Sequence, residues 1–171
     1  MIGPDIPITI RPEAPGDEEI IFAITEAAFA DMKDSDGDEQ HLVGRLREAG
    51  DLTLSLVAED GTRIVGHIAI SPVTISDGSK GWFGLGPVSV WPGVQRAGIG
   101  GALVKRAIAD MRAAGAKGIV LLGSPKYYSR FGFKHVSQIT FSGSSAEYFQ
   151  ALLLDGDMPS GTVTYAPGFY P

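Results

Sequence analysis

The sequence predicts a single α/β domain, residues 1–171, with a mixed central sheet flanked by helices. Three observations predict it. The chain has 171 residues, enough for one domain with a real core, and its 44% hydrophobic and 20% charged content is that of an ordinary globular protein. Short β-branched runs alternate with segments whose apolar residues recur at helical spacing. A glycine-rich turn, Gln95 to Gly101, joins one of these runs to one of these helices.

The elements follow in order. Ile8 to Arg11 reads as a first strand, and Pro12 to Gly16 as a turn. Asp17 to about Met32 reads as a helix with Ile20, Ile21, Ile24, Ala27 and Ala28 on one side. Asp31 to Asp38 is a polar, acidic loop. Glu39 to Ala49 resumes helix, with Leu42, Val43 and Leu46 inward and Gly50 as its stop. Leu52 to Glu59 and Ile64 to Val73 are strands joined at Asp60-Gly61, a hairpin signal. After a turn at Asp77-Gly78, Trp82 to Val90 is a strand, stopped by Pro92-Gly93. The long helix runs from about Gly98 to Ala114, with Val104, Ala107, Ile108 and Met111 at helical spacing. Gly118 to Leu122 is a buried strand. Pro125 to Phe131 is a short helix with Ser124 as N-cap and Pro at its first position. Phe133 to Val136 reads as a strand, Ser145 to Leu154 as a helix, and Gly161 to Tyr165 as the last strand.

Composition narrows the function. The net charge is −6 and the pI near 5.0, which argues against nucleic acid or an anionic membrane as partner. No apolar run approaches the roughly 18 residues of a membrane span. The N-terminus lacks a basic segment followed by an apolar one, so a cytoplasmic protein is expected. There is no cysteine, which excludes disulfides, thiolate metal sites and an acyl-cysteine intermediate. His41, His67 and His135 are widely spaced, so no metal site is expected.

The glycine turn carries the chemistry. A loop of this kind aims several backbone N–H groups, and the positive end of a helix dipole, at one point. That suits an anion with several oxygens, such as a pyrophosphate. A P-loop needs GxxxxGK[ST], but Ala102 and Leu103 follow Gly101. A dinucleotide fold wants GxGxxG and an acid at the end of the next strand; the third glycine and the acid are both missing. The pattern Gln/Arg-x-x-Gly-x-Gly/Ala does fit, as Gln95-Arg96-Ala97-Gly98-Ile99-Gly100. It resembles the coenzyme A pyrophosphate loop of the GNAT N-acetyltransferase superfamily. The preceding Leu85-Gly-Pro-Val-Ser-Val-Trp-Pro92 resembles that superfamily's central strand. Downstream, Tyr128 stands four residues before Gly132-Phe133, a second feature of the pattern. Gly66-His67-Ile-Ala-Ile-Ser-Pro72 and Gly123-Ser-Pro-Lys-Tyr-Tyr-Ser-Arg-Phe-Gly-Phe133 are similar to a YhbS-like bacterial branch. The resemblance covers about residues 8 to 136 and implies a mostly antiparallel sheet.

It also implies a set of roles. The donor is acetyl-CoA, used as a co-substrate without a metal, and the acceptor is an amine that the sequence does not identify. Gln95, Arg96, Ala97, Gly98, Ile99, Gly100 and Gly101 hold the pyrophosphate, with Gly98 and Gly100 permitting close approach and positive φ. Val88 and Val90 offer strand-edge backbone groups to pantetheine while their side chains fill the core. Ser124, Tyr127 and Phe131 complete the thiol end, where Lys126 and Arg130 read as surface charges. Tyr128 is the expected acid at the departing sulfur, with Tyr127 as the alternative. Many relatives carry a base on the central strand, but Gly81 to Trp91 contains no Asp or Glu. Glu26, Glu39, His41 and His67 are the remaining candidates, or a water chain. A monomer or homodimer suffices. A non-catalytic acyl-CoA-binding or sensing domain is the alternative, and it needs the loop without Tyr128.

Overall fold

The computed structural model describes residues 7–33, 35–95 and 97–171. Among the described residues the fold is a mixed, mostly antiparallel sheet with four α-helices. Twelve elements are β1 (Thr9–Pro12), α1 (Glu18–Phe29), α2 (Glu39–Ala49), β2 (Leu54–Glu59), β3 (Ile64–Ile75), β4 (Trp82–Val90), α3 (Ile99–Ala113), β5 (Gly118–Leu122), α4 (Pro125–Tyr128), β6 (Ile139–Thr140), β7 (Phe149–Leu153) and β8 (Gly161–Tyr165). Contacts gather them into two compact units, Met1–Ile70 with Gly86–Ala107, and Ser71–Leu85 with Ile108–Pro171.

In the first unit β1 pairs antiparallel with β2, and β2 with β3. Val57 faces His67 across that ladder. Trp91 N–H donates to Val65 O at 2.9 Å, which continues the antiparallel pattern onto the end of β4. The α1 and α2 helices bury one stripe each, and Ile21, Val43 and Val57 form one cluster. In α1 the buried set is Ile21, Ile24 and Thr25. Thr25 is tolerated inside because its hydroxyl donates to Ile21 O at 2.7 Å. Ile99, Leu103, Val104 and Ala107 of α3 are all buried at 2% exposure or less, which seats the helix start firmly.

In the second unit β4 pairs parallel with β5 over Trp82–Gly84, β5 antiparallel with β7, β3 antiparallel with β8, and β8 parallel with β6. Val73, Ile75, Trp82, Val120, Phe149, Val163 and Tyr165 belong to its core.

Two sequence expectations fail here. Phe133 to Val136 is not a strand: it contributes one isolated bridge, Lys134 to Ala151, and the short strand is Ile139–Thr140. Ser145 to Leu154 is not a helix. One 3₁₀ turn, Ala146–Tyr148, leads into strand β7. Helix propensity over Ala146 to Leu154 is favourable, but pairing with β5 buries Phe149, Gln150 and Ala151, and that outweighs it.

Candidate functional site

The glycine loop is built by β4, a 3₁₀ turn at Pro92–Val94 and α3. Gln95 is extended, and its side-chain amide donates back to Val90 O at 3.0 Å, closing the turn. Gly98 has φ +80 with open space where a Cβ would stand, so backbone strain rather than crowding demands glycine. Its carbonyl accepts from Ala102 N–H at 3.0 Å, the first bond of the helix. Helix geometry leaves the N–H groups of Ile99, Gly100 and Gly101 without an acceptor inside the helix. Gly98 has no side chain to cap them. Three donors and the dipole's positive end therefore face outward together.

Several expectations are refined by this geometry. Gly100 does not have positive φ; it is the second residue of α3. The Ile99 side chain lies in the core at 2% exposure, so only its backbone serves the loop. Gln95, Ala97 and Gly98 are exposed. Arg96 lies outside the described residues. Val88 and Val90 are half-buried rather than core, whereas Ser89 between them is fully buried. The β4–β5 ladder ends at Gly84, so Gly86–Val90 lie past it.

The tyrosine turn, in the second unit, is built differently. Ser124 Oγ accepts from Tyr127 N–H at 3.3 Å and Ser124 O from Tyr128 N–H at 3.0 Å. Pro125 takes the first helical position, and Gly132, with φ +95, ends the turn. Tyr128 lies across Gly123, where a Cβ would come within 2.5 Å of its ring. Gly123 is held at both ends: its N–H donates to Tyr148 O at 3.0 Å, and its carbonyl accepts from the buried Gln150 amide at 2.9 Å. Phe133 packs edge-on to Tyr128 with ring centroids 6.1 Å apart, and Phe131 lies at the same distance.

Tyr127 and Tyr128 are thereby distinguished. The Tyr127 ring lies under the Arg130 guanidinium, 4.4 Å from its centroid, and the same guanidinium donates to Tyr127 O at 2.8 Å. Arg130 is thus tied to the turn rather than simply solvated. Burial, then the neighbouring Tyr127, pushes the Tyr128 phenol up to about 12. It stays protonated at neutral pH, the form that donates a hydrogen bond.

The base candidates separate as well. Glu26 and His41 are exposed, and His41 sits edge-on to Phe22 at 5.2 Å. Glu39 accepts from Ser35 Oγ at 2.6 Å. His67 is fully buried, and its Nε2 lies 2.8 Å from Ser55 Oγ. Ser55 Oγ donates to Glu13 Oε1 at 2.6 Å, and Arg47 grips Glu13 with two bonds of 2.9 Å. Burial pushes His67 down to about 4, with Glu13 opposing. Burial also raises the Glu13 carboxyl, but the hydrogen bonds from Arg47 and Ser55 outweigh it and hold it below the usual range.

Sequence reasoning missed Glu13, Arg47, Ser55, Gly123 and Gln150. Only Gly123 had a signal, its place at the end of a strand ahead of Ser124-Pro125. Among the described residues, no group of three or more His, Cys, Asp or Glu could hold a metal. Among the same residues, no helix is long and apolar enough to cross a membrane.

Three comparisons bear on this geometry. A family profile for the acetyltransferase (GNAT) domain matches residues 9–136. The uncharacterized N-acetyltransferase YhbS of Escherichia coli K12 is 37% identical over 126 residues, 73% of this chain and 72% of that protein. A GNAT-family acetyltransferase from Brucella melitensis, solved in complex with acetyl-CoA, is 48% identical with a TM-score of 0.85, covering 96% of this chain and 99% of that one. The Escherichia coli YhbS structure, in complex with CoA, gives 30% identity and a TM-score of 0.89 over 100% and 96% of the two chains.

Proposed function

This chain belongs to the GNAT acetyltransferase family, and from that premise we propose that it moves an acetyl group from acetyl-CoA directly to a primary amine within a ternary complex. The observation that carries the proposal is the start of α3 behind Gly98, a glycine at φ +80 with no side chain of its own to cap the helix. A relative 48% identical was solved with acetyl-CoA, which supports the same donor here.

The N–H groups of Ile99, Gly100 and Gly101 meet the pyrophosphate, together with the helix dipole. The backbone of Val88 and Val90 takes the pantetheine amides. The amine attacks the thioester carbonyl, the C–N bond forms, the C–S bond breaks, and coenzyme A departs as a thiolate. Tyr128 donates a hydrogen bond to that sulfur. With the phenol near 12 and an ordinary thiol near 8.5, full proton transfer is uphill by roughly 5 kcal/mol. Tyr128 therefore keeps its proton and stabilises the developing thiolate through a hydrogen bond, while the proton lost by the amine as the tetrahedral intermediate collapses passes to solvent. The absence of cysteine removes the usual acyl-enzyme nucleophile, which favours direct transfer.

All named residues come from one chain, so a monomer or a homodimer serves equally, and residues 1–171 act as one acetyltransferase domain. A cytoplasmic location is part of the same proposal. A panel of amines with acetyl-CoA, read by thiol release, tests it. Release with at least one primary amine is expected. Tight coenzyme A binding without release against any amine overturns it in favour of an acyl-CoA-sensing module.

A further inference from the structure

In the second unit a side chain supplies a hydrogen bond that the β5–β7 ladder lacks. Leu121 stands opposite Gln150 and Leu122 opposite Phe149, so the next facing pair is Gly123 and Tyr148. A hydrogen-bonded pair in an antiparallel ladder exchanges two N–H to carbonyl bonds. Only one is made here. Gly123 N–H donates to Tyr148 O at 3.0 Å, but Tyr148 N–H donates to Ser145 O at 3.1 Å, inside the 3₁₀ turn that leads into β7. The Gly123 carbonyl is left over, and the Gln150 side-chain amide donates to it at 2.9 Å.

This bond is made at a cost. Gln150 is 1% exposed, and its Oε1 is buried with no hydrogen-bond partner among the described residues. Turning the amide over would set Oε1 against the Gly123 oxygen, acceptor against acceptor. Stability alone gains little from such an arrangement, since one bond is made and one acceptor is stranded. Exceptions of this kind call for an explanation. Gly123 and Leu121 are two residues apart on β5 and share a face of the sheet with Gln150. On that face, where a Gly123 Cβ would stand, lie two Tyr128 ring carbons at 2.5 and 2.8 Å and Leu121 Cδ1 at 3.5 Å. The Tyr128 ring thus rests on the very peptide whose carbonyl Gln150 holds. A glycine peptide with a free carbonyl turns easily, because it carries no Cβ, and turning it moves the floor under the ring.

We propose that Gln150 is a positioning residue for acetyl transfer: by pinning the Gly123 peptide it fixes where the Tyr128 ring rests, and so where the Tyr128 hydroxyl meets the departing sulfur. The inference rests on the acetyltransfer reading above. Gln150 takes no proton and forms no bond in the reaction. Its effect is on placement, and placement matters because a hydrogen bond weakens steeply away from its preferred distance and angle. A misplacement of about 1 Å can cost about a hundredfold in rate. Two effects that a merely structural glutamine would show together are separated here. Replacing Gln150 by an apolar residue strands the Gly123 carbonyl but removes the stranded Oε1, so stability changes little while placement is lost.

The decisive variant is Gln150→Met, which keeps the length of the side chain and loses the amide. Its kcat should fall about ten- to a hundredfold, with the KM for acetyl-CoA within about twofold of the wild type. Its melting temperature should stay within about 4 °C. In a Tyr128→Phe background the same change should alter kcat by less than about twofold, because a residue that acts through Tyr128 then has nothing left to place. Equal losses in both backgrounds, or a folded Gln150→Met protein with wild-type kcat, overturn the proposal. Tyr128→Phe with wild-type kcat overturns it as well, and leaves acetyl transfer itself standing. NMR of ring-labelled tyrosine supplies a test that needs no turnover. The Tyr128 signal, identified by its absence from Tyr128→Phe, should move in Gln150→Met as the ring shifts beside Phe133. An unmoved signal sinks the idea. Gln150→Leu serves for the same readings if Gln150→Met does not fold. Failure of every amine with the wild type would instead strike the acetyltransfer reading, while the ring signal still decides whether Gln150 sets the ring.

Discussion

Two strand-to-helix turns do the work proposed here, and they are built by opposite means. From β4 into α3 the chain passes through Gly98, which has no side chain, and helix geometry leaves the first N–H groups of a fifteen-residue helix without an acceptor inside it. From β5 into α4 it passes through Ser124, whose hydroxyl caps the helix, and the helix is four residues long. The first turn spends nothing of its own on its donors and presents backbone. The second satisfies its backbone and presents aromatic side chains. A diffuse, multiply charged group is best met by several weak fixed donors and a dipole. A single sulfur is best met by one placed hydroxyl.

If that contrast is right, the largest effect belongs to the second turn. Tyr128→Phe should lower kcat by about 10²- to 10⁴-fold with little change in acetyl-CoA affinity, measured by steady-state kinetics and calorimetry. Because burial holds the phenol near 12, no basic limb from this group is expected up to about pH 10. Tyr127→Phe should be much milder, since that ring is held against Arg130.

Next comes the seat of the tyrosine. Gly123→Ala places a Cβ within 2.5 Å of the Tyr128 ring. Overpacking of this kind costs about 1–3 kcal/mol, so a lower melting temperature and about a tenfold fall in kcat are expected together. Unchanged values would mean the ring has room to move.

The first turn should respond in binding instead. Gly98→Val forces a β-branched residue to φ +80, and acetyl-CoA affinity should fall at least tenfold, about 1.4 kcal/mol, with kcat at saturation less affected. Calorimetry on the folded variant decides it. Smallest is Ser124→Ala. Loss of the cap should destabilise the protein by about 1 kcal/mol in denaturant titration and weaken acetyl-CoA binding less than Gly98→Val does. A large loss of binding there would erase the distinction between the two turns.

Much of the first unit was legible along the chain. The helices at Glu39–Ala49 and from Gly98 follow from apolar spacing and glycine stops, and Gly50 is indeed left-handed at φ +78. The hairpin signal at Asp60-Gly61 marks the real connection, although the loop extends to Arg63. The second unit was less legible after Gly132. Phe149–Leu153 carries a helix-favouring composition, and nothing local says that Leu121 will pair with Gln150.

By itself the sequence determined what depends on neighbours in the chain. Positive φ at Gly98, the Ser124-Pro125 cap and the spacing of Tyr128 before Gly132 are properties of a few consecutive residues, and the family resemblance rests on such strings. Only the tertiary structure decided what depends on strand register. Register put Ser55 and His67 on one face, beside Glu13, and it brought Gln150 under Gly123. A shift of one residue in any of these ladders would turn those side chains to the opposite face, and no short-range pattern in the chain encodes which residues will stand opposite one another.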